Sequence, residues 1–244
     1  MAGVLKSHIY GLTDPGQVRQ SNEDAVRWDE AGGWVLLADG MGGHLAGEVA
    51  SRLAIETLAE HLAGSHGEAP AAVPGMLDAA VAEANARIHR QARADVRCQN
   101  MGTTLVVGLF LDDTLIAAHV GDSRLYRYRD GMLQQLSHDH SLVQELVDEG
   151  MLSPAQAAES QYRNVITRAL GLEEQVEVDV QQHRLQAGDL YLFCSDGLSD
   201  MLGDEELARL LPGEELAPLA QRLVDEANAR GGKDNISVIL ARVG

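Results

Sequence analysis

The stretch WVLLADGMGGH, residues 34–44, contains the first predicted structural unit of the chain. It opens as a short apolar run that predicts a strand, and the run stops at Asp39 and a glycine-rich turn. Apolar residues at helical spacing follow over residues 46–62 and predict a helix with one buried face. A strand that ends in an acidic turn and leads into a helix is therefore the unit from which the fold is built.

Similar runs recur along the chain and predict strands at residues 104–111, 115–120, 125–128, 176–180, 189–194 and 236–242. The turn at Asp130-Gly131 tolerates positive φ, which is typical of a tight hairpin between antiparallel strands. Helical spacing also predicts helices at residues 76–94, 141–149 and 213–230, while segment 151–164 is polar and of uncertain order. Clustered strands with paired helices, and no strict β-α-β alternation, predict an α+β domain in which helices cover antiparallel sheets.

The chain has 244 residues, is 45% hydrophobic, and carries 19 lysines and arginines against 37 aspartates and glutamates, a formal charge of −18. Nucleic acid phosphates and anionic lipid headgroups repel such a protein, so we expect neither nucleic acid nor membrane partners. No apolar run reaches the roughly 18 residues of a membrane span, and the first ten residues do not resemble an export signal. The cysteines, Cys98 and Cys194, form no disulfide or zinc pattern. These features favour a cytoplasmic protein.

Four aspartates fall at the ends of predicted strands: Asp39, Asp122, Asp196 and Asp234. Each taken alone fits a solvated turn, because aspartate and glycine are ordinary turn residues. If the four converge, their carboxylates repel one another and need a cation between them. Oxygen ligands without paired cysteines or histidines favour Mg²⁺ or Mn²⁺. The residue pattern alone leaves both interpretations open.

The glycine-rich turn at residues 40–43 also invites comparison with nucleotide-binding loops. A dinucleotide loop needs G-x-G-x-x-G, but Leu45 stands at the last glycine position. The sequence contains no G-x-x-x-x-G-K-[ST] motif either, which disfavours a P-loop nucleotide hydrolase. A glycine here is better explained by a backbone carbonyl that approaches a metal.

The chain resembles the small bacterial members of the protein phosphatase 2C (PPM) family, which are metal-dependent Ser/Thr protein phosphatases. The resemblance covers nearly the whole chain and rests on an ordered series of motifs. These are TDPG (13–16), RQSNED (19–24), DGMGGH (39–44), MGTT (101–104), HVGDSR (119–124), SHDHS (137–141), ITRALG (166–171), CSDGL (194–198) and GKDNIS (232–237).

The resemblance implies a four-layer α-β-β-α sandwich of two antiparallel sheets flanked by helices, with a metal site at one end. It implies a single catalytic domain over residues 1–244, with a variable flap at about residues 145–165 beside the site. We predict that this flap affects substrate choice, although an inert helical insertion is an equal alternative.

Family positions also imply roles for individual residues. Asp39 would bridge two metals, the Gly40 carbonyl would bind the second, and Asp196 and Asp234 would complete the first. The resemblance assigns a third, weaker ion to Asp122 with Asp196. It places Glu23, Asp24 and Asp200 around the ligands rather than among them.

Two residues match those that handle the substrate in the family. Arg19 corresponds to the arginine that grips the phosphate, and His44 to the proton donor for the leaving alkoxide. The metals would activate a bridging hydroxide that attacks phosphorus. His138 and His140 have an H-x-H spacing that invites a metal site, but they lie in a family segment that is mostly structural.

The implied activity is hydrolysis of phosphoserine and phosphothreonine in proteins, with Mg²⁺ or Mn²⁺, in opposition to a bacterial Ser/Thr kinase. We expect a monomer whose partners are phosphoproteins and a cognate kinase. Two alternatives remain at this point: a catalytically dead module that binds phosphoproteins, and a hydrolase of small phosphate esters. Filled ligand positions disfavour the first alternative, whereas the second shares the same site.

Overall fold

The computed structural model describes residues 5–42, 46–63, 71–213 and 215–244. In chain order the strands are β1 (Ser7–Asp14), β2 (Asp24–Asp29), β3 (Trp34–Met41), β4 (Gly102–Thr103), β5 (Leu105–Leu111), β6 (Thr114–Val120), β7 (Arg124–Arg129), β8 (Met132–Gln135), β9 (Asp179–Arg184), β10 (Leu190–Cys194) and β11 (Ile236–Val243). The helices are α1 (Ala46–Leu62), α2 (Val73–Ala94), α3 (Leu142–Asp148), α4 (Pro154–Ala158), α5 (Asp196–Ser199), α6 (Asp204–Leu210) and α7 (Leu216–Ala229).

The strands form two antiparallel sheets. One sheet has the order β1-β11-β10-β7-β8, and the other has the order β2-β3-β5-β6-β9, with the short β4 paired to the end of β3. The N-terminal strand β1 pairs with β11 along its full length, from Ser7 opposite Val243 to Asp14 opposite Ile236. Residues from both ends of the sequence therefore meet at the same sheet edge.

Alternation along β3 shows how the layers stack. Leu36 packs with α1 and α2, whereas Val35 and Leu37 point the other way and pack against Tyr191 and Phe193 of the facing sheet. A third apolar cluster joins the outer face of the β10–β11 sheet to α5, α6 and α7. Three buried cores thus separate four layers, which confirms the predicted α-β-β-α sandwich.

Several predicted elements coincide with the structure. Helix α1 has the predicted bounds, and the hairpin turns between β7 and β8 at Asp130 (φ 52°) and Gly131 (φ 80°). Asp130-Gly131 carries positive φ at both residues, as a tight antiparallel turn requires.

Other predicted bounds were wrong. Strands β1 and β2 were not predicted, because their apolar residues are interrupted by polar ones and neither strand is uniformly buried. The predicted strand at 176–180 lies at Asp179–Arg184, and the predicted helix at 213–230 begins at Leu216 after the unpredicted helix α6. Segment 151–164 contains the short helix α4, capped by Ser153.

Among the described residues, none of the helices is long and apolar enough to cross a membrane.

Candidate metal centre

The centre is built around Asp39, near the end of β3, where the backbone is held on both sides. Thr104 Oγ1 accepts a hydrogen bond from the Asp39 amide at 3.0 Å, and the Thr104 amide donates to the Asp39 carbonyl at 2.9 Å. Thr103 Oγ1 donates to the same carbonyl at 2.8 Å. With its main chain fixed in this way, Asp39 presents its carboxylate at a defined position.

Asp196 and Asp234 join Asp39 around one cleft of about 350 Å³, which Arg19, Glu23 and Gly40 also line. Asp196 begins α5 directly after β10, and Asp234 lies just before β11. These strands are neighbours in one sheet, while β3 belongs to the other. The cleft therefore opens where the ends of both sheets meet, and it brings together residues that are almost 200 positions apart in the sequence.

Glycines make this close approach possible. A Cβ at Gly40 would lie 2.1 Å from the Gly47 carbonyl oxygen and 2.6 Å from that of Glu23. A Cβ at Gly197 would lie 2.0 Å from the carbonyl oxygen of Asn235. Because these neighbours are backbone atoms, neither position has room for a side chain.

Asp122 adds a fourth carboxylate from the turn after β6. Its side chain is buried, and it contributes to raising the pKa of Asp196 by charge repulsion. The turn passes through Gly121 at φ 100°. Asp122 therefore lies close enough to Asp196 to affect its ionisation, although it does not line the main cleft.

Burial and mutual repulsion raise the pKa of each buried acid. The pKa of Asp39 and of Asp196 is well above the usual range, first because of desolvation and then because of the neighbouring carboxylates. Burial raises the pKa of Asp122 to about 7 and that of Asp24 to about 6. The protein alone does not supply enough positive charge to stabilise this group in the ionised form.

A divalent cation fits this arrangement. One carboxylate oxygen each of Asp24, Asp122 and Asp196 is buried without a hydrogen-bond partner in the parts of the chain that the structure describes. Such an atom is costly unless something positive meets it. The donors are hard oxygens, which suit Mg²⁺ or Mn²⁺ rather than a soft metal. The residues present therefore fit the predicted metal site.

Comparison with known proteins agrees with this geometry. A family model described as Protein phosphatase 2C matches residues 16–241. The chain belongs to the protein phosphatase 2C family. It is 45% identical over 232 residues to the serine/threonine protein phosphatase PstP of Mycobacterium tuberculosis, covering 95% of this chain but 44% of that protein. It is 37% identical over 238 residues to the serine/threonine phosphatase stp of Listeria monocytogenes, covering 96% of this chain and 94% of that one.

Solved structures of the protein phosphatase 2C family share the fold over the full chain. The crystal structure of the PstP catalytic domain in complex with two manganese ions superposes with a TM-score of 0.89 at 41% identity, covering 98% of this chain and 99% of that one. PppA, named as a key regulatory component of T6SS in Pseudomonas aeruginosa, has a TM-score of 0.87 at 34% identity, with 98% of each chain covered. The chain thus shares the fold of the 2C-type phosphatase domains, and it spans about half the length of the first of these relatives.

Arg19, expected to grip the phosphate, lies at the cleft but faces a predicted ligand. Its Nη2 is 2.6 Å from Oδ2 of Asp234, with 54% of the Arg19 side chain exposed. Asp234 raises the pKa of this guanidinium, although burial opposes the shift. Arg19 therefore places a positive charge directly against one of the predicted ligands.

The three predicted outer residues occupy different positions. Glu23 lines the cleft, and a Cβ placed on Gly47 would lie only 2.0 Å from Oε2 of Glu23. Asp24 is buried and accepts a hydrogen bond from Ser195 Oγ at 2.9 Å. Asp200 lies near Asp196, whose pKa it helps to raise, and it accepts a hydrogen bond from Asn164 at 3.3 Å. His44 lies outside the described residues.

Sequence reasoning missed Asn235, which links the parts of the centre. Its Oδ1 accepts from the Glu23 amide at 2.8 Å, and its Nδ2 donates to the carbonyls of Pro15 and Ser21 at 3.0 and 2.9 Å. It thereby fixes the segment that carries Arg19 and Glu23 next to Asp234. The available signal in the sequence was an asparagine directly after a predicted ligand.

A second cluster, His119, His140 and Asp179, has ligand atoms within 4.8 Å of one another. The Gly121 amide donates to His140 Nδ1 at 3.0 Å, and Arg168 Nη1 lies 3.1 Å from the other ring nitrogen, Nε2, so both ring nitrogens already face donor groups of the protein. Arg168 already bonds Asp179 at 2.9 Å, and burial lowers the pKa of His140 to about 4. These contacts favour the structural interpretation of segment 137–141 over a metal site.

Proposed function

We propose that this chain is a Mg²⁺- or Mn²⁺-dependent phosphoprotein phosphatase that hydrolyses phosphoserine and phosphothreonine. The observation that carries the proposal is the convergence of Asp39, Asp196 and Asp234 on one cleft. One oxygen of Asp196 is buried there without a partner among the described residues, and desolvation raises the pKa of both Asp39 and Asp196. Two divalent ions bound there would lower the pKa of a shared water and so supply a nucleophile near neutral pH.

We propose the ligand set that the family positions imply. Asp39 would contact both ions, the Gly40 carbonyl would bind one of them, and Asp196 and Asp234 would bind the other. Asp122 with Asp196 would hold a third, weaker ion, with Asp200 close by. Glu23 and Asp24 would act around these ligands, since Asp24 is already bonded by Ser195.

Arg19 would change partner during turnover. A cation bound to Asp234 would weaken the ion pair between Asp234 and Arg19. The guanidinium could then form hydrogen bonds with the phosphate oxygens. A planar guanidinium forms paired hydrogen bonds with a phosphate and so orients it. His44 remains our candidate for the proton donor to the leaving alkoxide.

The segment 145–165 would act as the flap. It is attached to the centre through Asp200, which accepts from Asn164 and lies 3.5 Å from Arg163 Nε. Asn164 and Ile166 line the cleft itself. These contacts support the prediction that the segment influences which phosphoprotein is accepted.

The biological setting is proposed on similar grounds. Bacterial relatives are named serine/threonine phosphatases, which supports action on phosphoproteins and opposition to a Ser/Thr kinase. Both cysteines are buried and free, which fits a reducing cytoplasm. The exposed large apolar residues are spread over several segments, which supports a monomer.

The test uses purified protein, a phosphothreonine peptide and Mn²⁺. We expect phosphate release that EDTA abolishes and that Asp39→Asn lowers by at least about a hundredfold. Asp113→Asn, an exposed aspartate far from the cleft, is the matched control and should keep full activity. No release with Mn²⁺, or equal release in EDTA, would refute the proposal.

The same assay separates the two alternatives. A dead binding module would keep its partner function in Asp39→Asn and release no phosphate in either form. A hydrolase of small esters would turn over p-nitrophenyl phosphate far better than any phosphopeptide.

A further inference from the structure

The C-terminal half of α2 carries an unusual concentration of positive charge for this chain. Residues 86–97 hold four of the 19 lysines and arginines and a single carboxylate, in a protein of net charge −18. Two of the four have local partners: Arg87 pairs with Glu83 and Glu60, and Arg97 pairs with Asp95.

The other two, Arg90 and Arg93, are exposed, and neither forms an ion pair with any described residue. Arginine in the last turn of a helix is favourable with the helix dipole, which accounts for part of their presence. That effect is small and does not require the two guanidiniums to share one surface. Their shared position calls for a further explanation.

Both arginines line a shallow groove beside α2. The groove consists of two adjoining hollows of about 550 and 620 Å³ that share His89, Arg93 and Ala94. Apolar side chains lie along it as well, since Val96 is 82% exposed and Leu172 is 42% exposed. Glu174 borders the second hollow but pairs with neither arginine within the described chain.

The opposite wall of the groove is rigidly attached to α2. Buried Asn85 donates to the carbonyls of Glu173 and Glu174 at 3.1 Å each and accepts from the Gly171 amide at 2.7 Å. The ring of His89 lies 3.2 Å from the Gly171 carbonyl. The groove is therefore formed before any ligand arrives.

The groove lies next to the phosphatase cleft. Leu170, just before Gly171, exchanges both backbone hydrogen bonds with Thr103, and Gly102 pairs with Met41 of the cleft. Two strand spacings of about 4.8 Å thus separate the backbones of Met41 and Leu170. An extended peptide advances about 3.3 Å per residue, so residues that flank the phosphorylated one can extend from the cleft toward the groove.

We propose that this α2 groove binds an acidic segment of the phosphoprotein substrate that flanks the phosphorylated residue. Arg90 and Arg93 would meet carboxylates or a second phosphate of that segment, while Val96 and Leu172 would contact an apolar side chain between them. Most of the protein surface repels an acidic peptide, so these two unpaired arginines select where it docks. The inference rests on the proposed phosphatase activity.

The test uses phosphothreonine peptides with a glutamate-rich flank, placed either before or after the phosphothreonine, and matched peptides in which the same flank is rich in glutamine. For one of the two placements, we expect the wild-type protein to favour the acidic peptide over its matched peptide by about five- to tenfold in kcat/KM. The difference should lie in KM, and the preference should fall as the salt concentration rises. Arg90→Gln/Arg93→Gln should abolish the preference, and Arg90→Lys/Arg93→Lys should keep most of it.

The controls separate docking from catalysis. Arg27→Gln/Arg184→Gln removes two charges elsewhere and should keep the preference, and hydrolysis of p-nitrophenyl phosphate should be equal in all variants. A preference that survives Arg90→Gln/Arg93→Gln, or that the control loses equally, would overturn the inference. So would binding to phosphatidylserine vesicles that depends on these arginines without any flank preference. If wild type with Mn²⁺ hydrolyses no phosphopeptide, the proposed function fails instead.

Discussion

The guanidinium of Arg19 lies 2.6 Å from the carboxylate of Asp234, although 215 positions separate them in the sequence. The residue expected to bind the phosphate thus neutralises a residue expected to bind the metal. A metal ion bound by Asp234 would compete with Arg19 for this carboxylate, so we expect metal binding and phosphate capture to be coupled through this pair.

Arg19→Gln should separate the two roles. We expect kcat/KM for a phosphothreonine peptide to fall about 10- to 100-fold, which corresponds to losing a charge-assisted hydrogen bond of about 1.5–3 kcal/mol. Affinity for Mn²⁺, measured by calorimetry, should stay the same or increase, since a competitor is removed. Arg27→Gln should change neither quantity; weaker Mn²⁺ binding in Arg19→Gln would contradict the competition.

The buried acids predict a pH dependence of stability in the absence of metal. Burial raises the pKa of Asp122 to about 7 and that of Asp24 to about 6, both above the ordinary aspartate value of 3.8. The folded state therefore holds more protons than the unfolded state between about pH 4 and 7, and stability falls as pH rises through this range. In EDTA, the melting temperature should be higher at pH 5 than at pH 8.

Saturating Mn²⁺ should reverse that trend. A cation favours the ionised carboxylates and binds only the folded state, so it should raise the melting temperature most at pH 8. A melting temperature in EDTA that rises from pH 5 to 8 would show that these carboxylates are not clustered as described. A melting temperature that saturating Mn²⁺ leaves unchanged would show the same.

Asp196→Asn should have opposite effects on stability and activity. It removes a partly buried carboxyl group whose ionisation burial and the charges of Asp122 and Asp234 oppose, so the metal-free protein should melt at a higher temperature. Turnover of a phosphopeptide should fall by at least about a hundredfold, and the stabilisation by Mn²⁺ should shrink. Asp113→Asn is the control for the loss of one charge. A lower melting temperature in EDTA would mean that Asp196 is held by contacts other than the metal.

Two glycine substitutions provide a matched pair for packing at the centre. Gly197→Ala would place a Cβ 2.0 Å from the Asn235 carbonyl, and we expect unfolding to become easier by about 2–4 kcal/mol. Gly75→Ala lies in helix α2 with nothing within 4 Å, so it should stabilise the protein by up to about 1 kcal/mol. Urea unfolding of both variants measures the difference, and equal effects would show that Gly197 has room for a side chain.

Arg163→Ala/Asn164→Ala tests the attachment of the flap to Asp200. Because exposed pairs of this kind contribute little to stability, the melting temperature should change by only a degree or two. KM for phosphopeptides should change by about two- to fivefold, whereas turnover of p-nitrophenyl phosphate should stay within about twofold. Hydrogen exchange of residues 150–165 should become faster; an unchanged exchange rate would mean that other contacts hold the segment.

The sequence predicts the elements with a local pattern better than the strands at the edges of the sheets. Helix α1 and the β7–β8 hairpin were predicted because both follow local rules, helical spacing in one case and turn chemistry in the other. Strands β1 and β2 were not predicted, since their residues are only partly buried. Strand β1 is stabilised by pairing with β11, and β2 by pairing with β3. Long-range pairing of that kind leaves no local pattern.

The site shows the same division. Asp39, Asp196 and Asp234 could be selected as acids at strand ends, but residue chemistry slightly favoured the interpretation as solvated turns until the family motifs were considered. Their convergence is a property of two stacked sheets and has no local signal. The pairing of Arg19 with Asp234 and the cross-links made by Asn235 join residues more than 200 positions apart, so only the folded chain reveals them.

The position of β11 has a consequence for how the protein is made. This strand lies between β1 and β10, and the predicted ligand Asp234 immediately precedes it. Translation adds these residues last among those described, so every shorter nascent chain lacks the inner partner of its first strand. Such a chain also lacks a complete set of carboxylates for the ions. We therefore expect assembly of the first sheet and capture of the metal to wait for the same few residues to emerge from the ribosome, and a product truncated before them to release no phosphate from phosphoproteins.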